Sequence, residues 1–191
     1  IVQLAQVLEE FGGIYFSHIR GEGHSLLRAV AEAIEVGERA GVAVQIAHHK
    51  ASGRPYWGRV RDSLAMIEAA QDRGVDVTVD VYPYRAGSGA LTQLVPEWAH
   101  EGGSEGILAR LRDTSVRNQL EDQLKSSVWR EWDAIQIAWT GSGNPDVVGE
   151  TIGQIAKQRN TKPESTVYDL LLEEDLHATM VHFGMDEADV Q

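Results

Sequence analysis

Leu4, Val7, Leu8 and Phe11 recur at helical spacing, and Gly12-Gly13 predicts the end of that helix. Ile14 to His18 is short, β-branched and aromatic, which predicts a strand. From Ser25 to Ala40 an apolar stripe of Leu26, Leu27, Val30, Ile34 and Val36 runs among Glu32, Glu35 and Glu38, predicting an amphipathic helix closed by Gly41. Val42 to His48 is apolar at nearly every position, as a strand buried on both faces should be. A helix over Arg59 to Arg73, carrying Leu64, Met66 and Ile67 and ended by Gly74, leads to a third strand, Val75 to Tyr82.

This alternation at roughly 30-residue intervals is the βαβ rhythm of a parallel sheet. Parallel strands collect ligands at their carboxyl ends, in barrels and open sheets alike. His18, His48 and Tyr82 all fall at such ends and are expected to share one rim. After Tyr84 the rhythm breaks. "RAGSGALTQLVPEWAHEGG" reads as loop, and two helical stretches follow from Ser104 to Lys125. A β-like "AIQIAWT" (Ala134 to Thr140) precedes helices near Gly149 to Arg159 and Ser165 to Glu173, and His177 to Phe183 reads as a further strand. The predicted organisation is βα units over 1–84, an insertion over 85–132, and a return to the parallel layer with helices over 133–191.

Composition narrows the chemistry. A net charge of -12 argues against nucleic acid as the main partner. No apolar run approaches bilayer length, so a membrane partner is not expected and a cytoplasmic location is. The absence of cysteine removes disulfides and thiolate metal sites. A first residue of Ile1 rather than Met points to a processed chain or an excerpt.

His18 and His48 occupy the same local pattern, a small residue, His, any residue and a cation: Ser17-His18-Ile19-Arg20 and Ala47-His48-His49-Lys50. Neutral imidazole is the commonest side-chain ligand of divalent metals. Two imidazoles on one zinc ion would bring their ring nitrogens to roughly 3–4 Å. The competing reading is a pair of hydrogen-bonded core histidines. His48 and His49 point to opposite sides of an extended strand, so one of them faces the rim, and alternation does not say which. Arg20 and Lys50 are candidates to hold a carboxylate or to stabilise developing negative charge. Asp80 is a candidate to orient a ligand histidine or to cap a turn. Tyr82 and Tyr84 flank Pro83, and Gly87-Ser88-Gly89 offers backbone N–H groups and a hydroxyl, without the spacing of a phosphate loop. Trp98, Trp129, Trp132 and Trp139 read as core or cover for the inserted segment, and His24, His100, His177 and His182 as structural or surface residues.

The stretches "GGIYFSHIRGEG", "VAVQIAHHKASGRPYWGRV", "GVDVTVDVYPYRAGSGAL", "VVGETIGQIAKQRNTKPESTVYDLLLEE" and "MDEADV" resemble the N-acyl-D-amino-acid deacylase (D-aminoacylase) branch of the amidohydrolase superfamily. That resemblance implies an α/β fold forming about strands five to seven of a (β/α)₈ TIM-type barrel, with a mostly helical insertion. It implies one or two zinc ions, His18 and His48 as metal ligands, and hydrolysis of small-molecule N-acyl-D-amino acids. Lys50 would meet the substrate, Tyr82 would act beside it in catalysis, and Arg20, Tyr84 and Ser88 would line the pocket. The superfamily's early His-x-His pair, its bridging ligand and its strand-eight aspartate find no match here, and its "GST"-like stretch reads Gly87-Ser88-Gly89. An internal piece of the enzyme, inactive alone, is therefore expected. Another amidohydrolase, such as a dihydroorotase or hydantoinase, and a non-catalytic segment with structural histidines are the rival readings. The oligomeric state has no signal in the sequence.

Overall fold

The computed structural model describes residues 1–126 and 131–191, and it divides into two units, 1–85 with 184–191 and 86–183. Trp129 lies outside the described residues.

In the first unit, α1 (Val2–Ala5) continues as a 3₁₀ turn through Phe11 and is followed by β1 (Ile14–Ser17), α2 (Leu26–Ala40), β2 (Ala43–Ile46), α3 (Val60–Asp72) and β3 (Val77–Val79). The strands form a parallel sheet in the order β1-β2-β3, with Ser17 opposite Ile46 and Ile46 opposite Val79. Val44 and Ile46 are fully buried and belong to one core with Leu26, Val30 and Ala33 of α2 and Ile67 and Ala70 of α3. The stripe on α2 thus buries as its period predicts. Gly37 lies on this helix where a Cβ would collide with the Val44 side chain, so the absent side chain lets the helix approach the sheet closely.

Within these residues helices cover one face of the sheet, and on the other Ile14 and Phe16 are 49% and 63% exposed beside half-buried Gln45. One expectation changes. At the N-terminus the expected i, i+3, i+4 stripe does not pack: Leu4, Val7 and Phe11 are exposed, while Val2, Ala5 and Leu8 meet Val36, Ala40 and Val42. The chain tightens into a 3₁₀ turn, whose period of about 3.0 residues selects every third residue rather than the α-helical pattern.

The second unit comprises β4 (Gly87–Ala90), α4 (Gly103–Arg112), α5 (Thr114–Lys125), β5 (Ile135–Thr140), α6 (Ile152–Arg159), α7 (Pro163–Glu173) and β6 (Ala178–His182). Its sheet is antiparallel in the order β4-β6-β5, with a bulge between Ile137 and Trp139. Residues 135–182 pair among themselves and with β4, not with the parallel layer: β6 lies between β4 and β5 and pairs with both, and 184–191 belong to the first unit. There Gly53 N–H and the Trp57 indole donate to Gly184 O, and Asp189 accepts from Gly58 N–H. β4 is a strand the sequence concealed. Gly-Ser-Gly-Ala has poor strand propensity, and its ladder to Thr179–His182 supplies what the side chains do not. Leu111, Leu120, Ile135, Ile137, Ile152, Ile155, Tyr168 and Leu171 are all buried to 1% exposure or less in one core, which Trp132 partly covers. Trp98 and Trp139, by contrast, are about half exposed. No helix among the described residues is long and apolar enough to cross a membrane.

Candidate metal centre

β1, β2 and β3 run parallel, so the segments leaving Ser17, Ile46 and Val79 emerge at the same edge of the sheet. His18 follows β1 directly and is exposed, on the open face it shares with Phe16. His48 reaches the same place by a different route. Ile46 faces the helices, and strict alternation would send His48 to that side as well. Instead the strand ends at Ile46, and His48 adopts φ 39°, a left-handed conformation uncommon for a residue with a side chain. This reversal turns the His48 ring to His18, and their Nδ1 and Nε2 atoms lie 2.6 Å apart. His49 then takes the helix side, where it is 4% exposed and its Nε2 lies 2.8 Å from Ser63 Oγ on α3. Geometry thus settles what alternation left open.

Asp80, just beyond β3, holds the turn. Its Oδ1 accepts from His48 N–H at 2.7 Å, its Oδ2 from the Gln45 amide at 2.9 Å, and its backbone O from His49 N–H at 2.8 Å. The hydrogen bond from His48 N–H is the main cause holding the Asp80 carboxyl below the usual carboxylate range. The aspartate therefore orients a histidine through its backbone rather than through its ring. Burial lowers the pKa of His49, and Lys50 beside it lowers it further, so this imidazole is kept neutral.

Lys50 completes the cluster. Its ammonium lies 2.5 Å from Glu22 Oε1, 2.9 Å from His48 Nδ1 and 3.0 Å from His48 O, and 5.3 Å from the centroid of the Tyr82 ring. Burial, with Glu22 adding to it, pushes the Tyr82 hydroxyl up to about 12, so it stays protonated and able to donate. Glu22 also lies 2.9 Å from His48 Nδ1, and His18, Glu22 and His48 form a group whose ligand atoms all fall within 4.8 Å of one another.

The sequence singled out His18, His48, Lys50 and Tyr82, and the structure brings these four together. It does not bring in Arg20 or Tyr84. Arg20 turns outward to an ion pair with Glu32 on α2 at 2.9 Å, and Tyr84 is 67% exposed. Ser88 belongs to β4 of the second unit. Sequence reasoning passed over Glu22. The available signal was an acid between Gly21 and Gly23, four residues after a candidate ligand, in a loop with no periodicity to place it.

The cluster suits a divalent cation in donor type, with two imidazoles and a nearby carboxylate. The histidine nitrogens are hydrogen-bonded, closer than the roughly 3.3 Å that two ligands at about 2.0–2.1 Å from one tetrahedral ion would adopt. The rings need to part by less than an ångström, roughly, and His18 is exposed enough to move.

No family model matches the chain. Among characterised proteins, it is 31% identical to the N-acyl-D-glutamate deacylase of Alcaligenes xylosoxydans xylosoxydans over 188 residues, which cover 98% of this chain and 30% of that one. It is 44% identical to the D-aminoacylase of the same organism over 93 residues, which cover 49% of this chain and 19% of that one. Among solved structures, the N-acyl-D-glutamate deacylase of Bordetella bronchiseptica, complexed with zinc and a phosphonate mimic of the reaction's tetrahedral intermediate, superposes with a TM-score of 0.71 at 28% identity, covering 99% of this chain and 32% of that one. A D-aminoacylase structure said to define a novel subset of amidohydrolases gives a TM-score of 0.67 at 30% identity, covering 99% of this chain and 31% of that one. The chain spans less than a third of the length of the relatives it matches in full. With sequence and fold in agreement over nearly all of its residues, the chain belongs to the D-aminoacylase family of N-acyl-D-amino-acid deacylases, as a segment of it.

Proposed function

We propose that this chain contributes to a zinc-dependent deacylase that hydrolyses the amide bond of N-acyl-D-amino acids, and that β1, β2 and β3 are about strands five to seven of its (β/α)₈ barrel. The observation that carries the reading is the convergence of His18 and His48 from adjacent parallel strand ends, with the Lys50 ammonium behind them. Residues 1–84 are then barrel units. The insertion begins at about residue 85, and the antiparallel pairing of β6 with both β4 and β5 supports extending it past 132 to near Phe183.

His18 and His48 would hold the ion through the nitrogens that now face each other, and one or two zinc ions fit the relatives, one of which is described with a binuclear centre. When bound, zinc supplies Lewis acidity to an amide carbonyl and lowers the pKa of water. Lys50 supplies a positive charge for the substrate carboxylate, its ammonium held 5.3 Å from the centroid of the Tyr82 ring. Tyr82 contributes a hydroxyl that donates throughout the working pH range. Arg20 can reach a substrate only by leaving Glu32, an exposed pair worth about 0.2–1 kcal/mol, which a substrate carboxylate would replace.

Zinc titration of the 191-residue chain and its His18→Ala and His48→Ala variants tests the site. Uptake that both substitutions abolish supports it, and uptake that neither changes leaves the histidines structural. The reaction is tested on a polypeptide that joins this segment to the remainder of the barrel. Faster turnover of N-acyl-D-glutamate, N-acyl-D-aspartate or other acyl-D-amino acids than of dihydroorotate or hydantoins is expected, and the reverse order would reassign the enzyme among the amidohydrolases. In that polypeptide Lys50→Ala is expected to lower kcat/KM by roughly ten- to a hundredfold, the worth of one charge-assisted hydrogen bond, with metal content retained.

A further inference from the structure

Nδ1 of His48 lies between two groups of opposite hydrogen-bonding character, the Glu22 carboxylate at 2.9 Å and the Lys50 ammonium at 2.9 Å. A carboxylate only accepts and an ammonium only donates, so Nδ1 can satisfy one of them at a time. If it bears the proton, it donates to Glu22 and the other nitrogen, Nε2, keeps its lone pair. If it accepts from Lys50, Nε2 bears the proton and is closed to a metal. The position of one proton thus decides whether His48 can bind through the nitrogen that faces His18.

We propose that Glu22 is the positioning residue of this centre: it holds His48 in the Nδ1–H form, so that Nε2 presents its lone pair toward His18 Nδ1, and occupies the Lys50 ammonium that would otherwise force the opposite tautomer. Lys50 has other acceptors in reach, Glu22 Oε1 and the backbone O of His48, so it does not need Nδ1. Glu22 in turn is built in place. Its backbone O accepts from Ser52 N–H at 2.7 Å, which ties the β1–α2 loop to the loop after β2. Gly23 passes so close to Tyr56 that a Cβ there would sit 3.2 Å from the ring. The carboxylate is 17% exposed and Lys50 is 12% exposed, so both charges are largely screened from water and held by each other. Glu22 lies across the His48 ring from His18, which makes it a partner of the ligand rather than a third ligand of the same ion. A carboxylate that receives the second N–H of a ligating histidine fixes its orientation and raises its basicity, and losing such a partner typically costs about 10–100-fold in metal affinity.

The role rests on the metal reading for its purpose but not for its first test. Long-range ¹H–¹⁵N spectra of the metal-free chain, recorded at alkaline pH where the imidazole signals no longer change, report the His48 tautomer directly. The expected result is Nδ1–H in the unmodified chain, Nε2–H in Glu22→Ala, where Lys50 becomes the donor to Nδ1, and Nδ1–H again in Glu22→Gln, whose amide oxygen still accepts. An unmodified chain in the Nε2–H form, or a Glu22→Ala chain with the tautomer unchanged, would overturn the proposal, and the unmodified chain gives the first of these answers even if a variant does not fold. Cobalt(II) titration followed by its visible absorption then separates partner from ligand. Binding weakened by about 10–100-fold in Glu22→Ala, with the spectrum unaltered in Glu22→Gln, is expected. A Glu22→Gln spectrum of different intensity would make Glu22 a ligand instead and overturn the proposal. A polypeptide joining this segment to the remainder of the barrel that takes up no metal defeats the proposed function, while the tautomer alone still decides the role of Glu22.

Discussion

The two units of this chain use their residues in opposite ways. The antiparallel unit gathers large side chains, among them Leu111, Leu120, Ile137, Ile155, Tyr168 and Leu171, into one buried core. The parallel unit packs smaller ones, Ala29, Ala33, Ala51, Ala70, Val30 and Val44 among them, against one face of its sheet and leaves Phe16 and Ile14 on the other uncovered. Yet the candidate chemistry sits on the unit with the thinner core. Parallel strands end at a common edge, and His18, His48 and Lys50 depend on that edge rather than on buried area. Mass in the core and precision at the site are separate properties, and each can be perturbed alone.

The largest effect is expected in the antiparallel core. Tyr168 is fully buried, and its hydroxyl donates to Leu120 O at 3.2 Å. Tyr168→Ala leaves a cavity and removes that hydrogen bond, so a loss of about 3–5 kcal/mol is expected, comparable to the large aromatic truncations seen in well-packed cores. Denaturant unfolding would measure it. A loss under about 1 kcal/mol would mean the core relaxes around the gap and that the contrast between the units is overstated.

A smaller effect, with a distinctive pH signature, is expected beneath the site. His49 is buried against Ser63, and its pKa is lowered chiefly by that burial and then by Lys50. An unfolded chain binds a proton at this residue at a higher pH than the folded chain does. Between the ordinary histidine value of about 6.5 and the lower folded value, the unfolded state therefore carries more protons, and stability falls as pH drops through that window. His49→Gln keeps a donor for Ser63 but cannot take up the proton. The advantage of the unmodified chain over the variant should shrink between about pH 7.5 and 5.5, read from urea midpoints at each pH. An advantage that stays constant would remove His49 from the balance.

The same positions show how much the sequence disclosed. His18 and His48 were legible because β-branched runs end on them and parallel topology gathers strand ends. The choice between His48 and His49 was not, since it turns on one left-handed φ at His48 that no periodicity encodes. Glu22 was hidden between glycines, in a loop positioned by tertiary hydrogen bonds such as that from Ser52. In the second unit the helices and the strands near 135 and 178 were legible, but their partner was not. β4 consists of Gly-Ser-Gly-Ala, and only its antiparallel ladder to β6 makes it a strand. Pattern reveals which residues are buried, and pairing across long separations is set by contacts that pattern does not contain.

The smallest effect should come from the open face of the parallel sheet, and it sharpens the comparison most. Phe16 and Ile46 are on neighbouring strands, but Phe16 is 63% exposed on the uncovered face while Ile46 is fully buried under the helices. Ile46→Ala is expected to cost about 2–5 kcal/mol, since it empties a packed position. Phe16→Thr keeps a residue that favours strands, loses little buried area, and is expected to change stability by no more than about 0.5 kcal/mol. Both are measured by urea unfolding of the 191-residue chain at two protein concentrations. Equal costs for the two substitutions would mean that something covers the open face in solution. If the cost of Phe16→Thr also rises with protein concentration, that cover is a second copy of the chain, since stability drawn from association depends on concentration and stability drawn from folding alone does not.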